Sequence, residues 1–250
     1  METEQVGACL SLLFSEDGRP TADDVLQALA SGPHGHALAI QASQPRGAGE
    51  GWLELLASGL TFDLIGLAPG EGEGIPEARH VYGLGSEVPG QTFEAIALVP
   101  GPHVAGAGSV LPVVRSMAGL ARELALRLET RAVCWAPAGC WMDTSYFARI
   151  VEGWLGGGAF PALGFTGMER TPDGGVQSQG LAHFAGQELR VEARRGETAA
   201  DTVKLAVRAM DHIVRHGPVT GRQELTGPGG ELLLVEPVPG GRVARLWREL

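Results

Sequence analysis

Residues 93–136 read "FEAIALVPGPHVAGAGSVLPVVRSMAGLARELALRLETRAVCWA". The stretch opens on an apolar run, FEAIALV at 93–99, passes through a glycine-rich loop, and then places Val113, Met117, Leu120, Leu124 and Leu128 at steps of three or four residues. Steps of that size put side chains on one helical face, so a long helix is predicted near Val110 to Leu128. A second apolar run, AVCWA, closes the unit.

The same order recurs on either side. Upstream, Val6 to Phe14 is strand-like, Pro20 and Thr21 open a helix presenting Val25, Leu26 and Leu29, and HALAI at 36–40 closes the unit. Thr21 with Asp24 has capping-box spacing. Downstream, ELRVEA at 188–193 precedes a helix from about Ala199 to His216, and ELLLVEPV at 231–238 follows it. Thr198 and Asp201 repeat the cap spacing, Val203, Val207, Met210 and Val214 form a stripe, and Gly217-Pro218 stops the helix. Turn residues at Ser58-Gly59 and at Pro172-Asp173-Gly174-Gly175 split the stretches around them into hairpins. Three strand-helix-strand units with added hairpins predict an α+β fold built on mixed sheet. A soft boundary is expected near 104, giving halves 1–104 and 105–250 or one continuous domain.

Composition narrows the function classes. The chain has 250 residues, 44% apolar and 19% charged, enough to bury a substantial core. Its net charge of −10 argues against duplex nucleic acid, which is gripped by clustered Lys and Arg. An acidic surface suits a basic protein partner instead. Lys204 is the only lysine among 19 basic residues, which fits a GC-rich bacterial coding bias. The start, METEQVGACL, has acids where a secretory signal needs bases, and the uncharged stretch from Ala95 to Val114 is broken by Pro100, Pro102 and Pro112. No secretion and no membrane span are expected. Three cysteines then suggest reduced thiols in a cytoplasm.

RAVCWAPAGCWMDTSYF at 131–147 holds two of those cysteines in Cys-Trp pairs. Structural zinc wants four ligands, commonly as close pairs, and a redox pair is more often C-x-x-C. The stretch is expected to run strand, bend, helix as interior filling, with Asp143 as N-cap and Phe147, Ile150, Val151 and Trp154 at helical spacing. No metal and no cofactor are implied.

Other constellations are incomplete. GPHVAGAGS at 101–109 resembles a phosphate loop, yet Ala107 stands where its lysine belongs. Its candidate ligand or partner contacts are His103, Gly106, Gly108 and Ser109. As a plain connection, it would use Ser109 as the helix cap. His212 and His216 have H-x-x-x-H spacing but Ile213 replaces the glutamate base, so a helix-end role is expected; His34 and His36 are a second pair. Ser86 and Ser178 do not complete G-x-S-x-G, and Glu71 and Glu73 fall in a glycine-rich loop expected to be solvated.

Within TGMERTPDGGVQSQGLAHFAGQELRVE, residues 166–192, the core GLAHFAGQELRVE carries Gly180, Leu181, Phe184, Glu188 and Leu189. These residues resemble the signature of a bacterial family catalogued as domain of unknown function 4261, and LLFSEDGRPTADDVLQAL and AVCWAPAGCWMDTSYF resemble its layout. Ala185 and Gln187 stand where that family tends to show glycine and proline. The resemblance implies a bacterial intracellular α+β protein and no particular reaction. Phe184 is a candidate packing or partner contact, and Glu188 reads either as surface decoration or as an amide-binding cap. The leading expectation is a non-catalytic cytoplasmic protein acting through protein contacts, of accessory or immunity type. The alternative is a hydrolase or small-anion-binding protein with a site formed by loops 101–109 and 173–188.

Overall fold

The computed structural model describes residues 9–30, 40–43, 51–85, 92–194, 196–227 and 229–249. The chain divides into two compact units between Gly158 and Ala159. Each carries one mixed sheet and its own helices, so the fold is α+β.

The first unit runs β1 (Leu10–Ser15), α1 (Ala22–Ala30), β2 (Ile40–Ser43), β3 (Trp52–Ala57), β4 (Leu60–Ile65), β5 (His80–Tyr82), β6 (Phe93–Pro100), α2 (Leu111–Arg127), β7 (Ala132–Trp135), β8 (Cys140–Asp143) and α3 (Thr144–Leu155). Its eight strands lie in the order β2-β3-β4-β6-β1-β7-β8-β5, antiparallel throughout except for β5 beside β8. Leu10, Leu12, Ile96, Leu98, Leu53, Leu55, Phe62 and Leu64 alternate onto one face and are buried. The stripe of α2 packs on these strands, and Ser116 donates to the Ala57 carbonyl at 3.2 Å. Glu123 on α2 is buried between Arg122 (2.6 Å) and Arg127 (3.1 Å). Arg127 also donates to the carbonyls of Ala28 and Leu29, tying down the end of α1. An ionised carboxylate is tolerated at such depth only with partners of this kind. On the opposite sheet face, Leu13, Ala95, Cys134 and Trp141 form a second cluster, covered in part by Ala78 and Leu84.

The boundary expected near 104 falls inside this unit. Strand β6 pairs with both β1 and β4, and α2 returns onto them, so the chain has no separable half there. A second difference lies at 131–147. After β7, Ala136–Ala138 make a single tight turn and Gly139 adopts φ 61°. A Cβ there would lie 2.9 Å from the Glu77 carbonyl, so glycine is required. The chain therefore reverses into β8 before α3 begins, giving a hairpin where a simple bend was expected. Asp143 caps α3 as its spacing predicts, accepting from the amides of Ser145 (2.9 Å) and Tyr146 (3.1 Å).

The second unit runs α4 (Ala162–Phe165, one irregular turn), β9 (Gly167–Arg170), β10 (Val176–Gln179), α5 (Ala182–Ala185), β11 (Glu188–Val191), α6 (Ala199–His216), β12 (Gln223–Thr226), β13 (Leu232–Pro237) and β14 (Val243–Arg248). The sheet order is β12-β13-β14-β11-β10-β9, with only β11 and β14 parallel. The strand beside β11 after the helical crossover is thus β14, while β13 sits one position further out. Helix α6 buries Leu205, Ala206, Ala209, Met210, Ile213 and Val214, and Val203 and Val207 of the expected stripe lie half-buried at its margin. Among the described residues no helix is long and apolar enough to cross a membrane.

Candidate functional site

The hairpin β7–β8 settles how the two central thiols are used. Cys134 lies opposite Trp141 and Cys140 opposite Trp135, so alternation sends the sulfurs to opposite faces of the sheet. One ion cannot be held by both. Both thiols are buried, and burial pushes each pKa up, that of Cys140 to about 12. Among the described residues, no group of three or more His, Cys, Asp or Glu side chains is placed to hold a metal.

The loop at 101–109 belongs to the first unit. Its amides at Val104, Ala107, Gly108 and Val110 donate to carbonyls within the loop, folding Ala105–Ala107 into a single 3-10 turn. His103, Gly106 and Ser109 are exposed and Gly108 is buried. Ser109 does not cap α2. The N-cap is Val110, which has no side-chain acceptor, and Pro112 fills an early position where no amide hydrogen is needed.

Phe184 and Glu188 belong to the second unit, Phe184 within α5 and Glu188 at the start of β11. Phe184 stands edge-on to Phe160 (4.9 Å between centroids) and to Phe165 (6.4 Å). Glu188 is an amide-binding cap. Its carboxylate accepts from the amides of Gly180 (2.9 Å), Leu181 (3.2 Å) and Ala182 (3.1 Å), and from the Ser178 hydroxyl. His212 and His216 stack at 4.2 Å at the end of α6, with His216 Nδ1 2.9 Å from the His212 carbonyl. Burial, reinforced by His216, lowers the His212 pKa. The pair at His34 and His36, and Ser86, lie outside the described residues.

No family model, curated protein or solved structure matches the chain.

Charge distribution supplies what the motifs do not. Residues 1–158 hold 18 acidic and 8 basic residues, and residues 159–250 hold 11 of each. The whole net charge of −10 therefore resides in the first unit. There, the loop at 66–73 is stitched to the start of α1: Ala68 donates to the Pro20 carbonyl, and Arg19 donates to the carbonyls of Gly66 (2.7 Å) and Gly70 (2.8 Å). Arg19 also pairs with Glu94 at 3.2 Å, and its side chain is only 13% exposed. Its charge is thus neutralised and turned inward. Glu16, Asp17, Asp23, Asp24 and Glu71 stay exposed on the surrounding segments. Asp24 and Thr21 cap one another reciprocally, holding the Asp24 carboxyl below its usual range through the Thr21 hydroxyl and amide. Leu26 on α1 and Ile75, two residues past the loop, are large apolar side chains that are exposed. Elsewhere in this unit Asp63 faces Glu54 directly across β3 and β4, and burial followed by Glu54 raises the Asp63 pKa. Like charges so placed weaken an antiparallel pair.

The second unit has a different surface. An open cleft of about 600 Å³ is lined by Trp247, Leu234, Arg222, Arg194 and Glu192 among others. The guanidinium groups of Arg245 and Arg222 lie 4.9 and 5.9 Å from the Trp247 ring centre. Arg245 is paired with Glu192, and Arg248 with Glu197 and Glu231. The sequence carried a signal for the charge asymmetry, but only when the count is divided at 158.

Proposed function

We propose that the protein acts without catalysis, through contacts with another protein, and that the first unit presents its acidic surface to a partner rich in Lys and Arg. The observation that carries this reading is the confinement of the net charge to the first unit, together with the inward turn of Arg19 beneath the exposed acids around it. Field from a one-sided charge distribution speeds encounter and selects orientation. Exposed Leu26 and Ile75 supply apolar area of the sort that fixes a complex once it is formed. The resemblance around Gly180 to Glu192 adds a bacterial, cytoplasmic setting to the proposal, in which an accessory or immunity-type factor neutralises a basic protein.

The test compares the native chain with a variant carrying Glu16→Gln, Asp17→Asn, Asp23→Asn and Glu71→Gln. Both are used to capture partners from a lysate of the encoding organism at about 0.15 M and about 0.5 M salt, which shortens the screening length from about 8 Å toward half that. A basic protein held by the native chain, released at the higher salt and not held by the variant, is the expected result. A partner that both chains hold equally would refute the acidic surface as its site.

A further inference from the structure

Strand β12 ends its sheet. Its four residues pair with β13 on one side, from Gln223 opposite Val235 to Thr226 opposite Leu232. On the other side, no backbone hydrogen bond is made among the described residues. Unpaired amides and carbonyls in a row are a template for another strand.

A groove of about 400 Å³ runs between this strand and α6. Its floor is apolar, made by Leu205 and Ala209 of α6 and by Leu233 of β13, all buried, with Leu225 half-buried on β12. The helical wall carries one cation, Arg208, which is exposed and has no ion pair among the described residues; His212, one turn further along, is shifted toward its neutral form, and exposed Glu224 lines the strand side of the groove. An open edge beside an apolar trough meets both requirements of strand addition: main-chain pairing supplies affinity, and every second side chain of the added strand finds a pocket.

We propose that the groove receives an extended peptide segment of a protein partner, added to β12 as a further strand, with alternate apolar side chains in the trough and an acidic side chain against Arg208. This goes beyond the acidic surface of the first unit and shares no residue with it, so either can fail while the other stands.

The probe is a fluorescein-labelled peptide, Val-Asp-Val-Thr-Val-Asp-Val, titrated against the full chain by fluorescence anisotropy. Two control peptides carry N-methyl groups on alternate amides, or lysine in place of aspartate. Saturable binding is expected, weakened about tenfold or more by N-methylation, by lysine and by Arg208→Glu, as loss of a charge-assisted or backbone hydrogen bond would produce. Arg208 is solvent-exposed, so the variant should keep its melting temperature; Leu225→Glu, at the groove mouth, is the second variant. Amide shifts in NMR spectra should centre on Gln223–Thr226. The proposal is overturned by an absence of saturable binding at millimolar chain, or by affinity that N-methylation and Arg208→Glu leave within twofold. A concentration-dependent dimer with shifts on β12 would assign the edge to a second copy and would overturn it equally.

Discussion

Replacing Glu188 by alanine tests the largest local network in the second unit. The carboxylate receives three amides and the Ser178 hydroxyl, and Ser178 in turn accepts from the Leu189 amide at 2.8 Å. Loss of an N-cap acceptor costs about 1 kcal/mol, and each further donor left to a half-buried site costs about 1 kcal/mol more. Because Glu188 is partly accessible, water will recover some of this, and a net loss of about 3 kcal/mol is expected. In a unit of this size, that lowers the melting temperature by on the order of 15 °C. Glu188→Gln keeps one oxygen but turns an NH2 toward the amides, so about half the loss should remain. Urea unfolding of the full chain measures the change, and amide exchange should place it at residues 176–191. A loss below about 0.5 kcal/mol for the alanine variant would show that the geometry does not carry the energy assigned to it.

Burial raises the Cys140 pKa from 9.0 to about 12, so the folded chain holds that proton more tightly than the unfolded chain does. The linked stability is complete below pH 9 and is lost as pH rises toward 12, at about 1.4 kcal/mol per unit. Cys140→Ala should therefore flatten the decline of the urea midpoint between about pH 9 and 10.5, and an unchanged slope would contradict the burial argument. Asp143→Ala should cost about 1 kcal/mol as the cap of α3, whereas Ser109→Ala should stay within about 0.3 kcal/mol because Val110 is the N-cap of α2; equal costs in urea unfolding would reverse that assignment. Gln187→Ala should speed hydrogen exchange at β12 while leaving β9 and β10 protected, and uniform exchange across the sheet would show that Gln187 does not position the edge.

The parts of the fold legible in the sequence are those fixed by neighbours in the chain. Helix α6 occupies the range its Thr198 cap and Gly217 stop predict, and hairpins form at Ser58-Gly59 and around Pro172 to Gly175 because those residues set the turn locally. Strand β8 is not legible because three apolar residues and an aspartate between a turn and a helix have no periodicity of their own; pairing with β7 and β5 makes them a strand. The parallel contact of β14 with β11 is likewise set by the path of α6 and the β13–β14 hairpin. Glu188 read two ways because the amides it binds lie six to eight residues upstream and reach it only when β10 and β11 pair. The groove was invisible for the same reason, since it joins a helix wall to strands some 20 residues later.

Two consecutive side chains at the start of β11 hold the turns around it. Glu188 fixes the residues upstream, at 180–182. Gln187, buried at 3% exposure, reaches downstream: its oxygen accepts from the Val219 amide at 2.8 Å, and its NH2 donates to the carbonyls of Val219 (3.3 Å) and Gly241 (3.1 Å). Val219 lies in the segment that leads from α6 into β12, so the Gln187 amide sets where the edge strand begins relative to the helix that faces it. A proline at this position would supply neither the acceptor nor the donors. An edge held in place before binding loses less conformational freedom when a strand is added to it, which is the condition under which a short four-residue strand can recruit a partner at all.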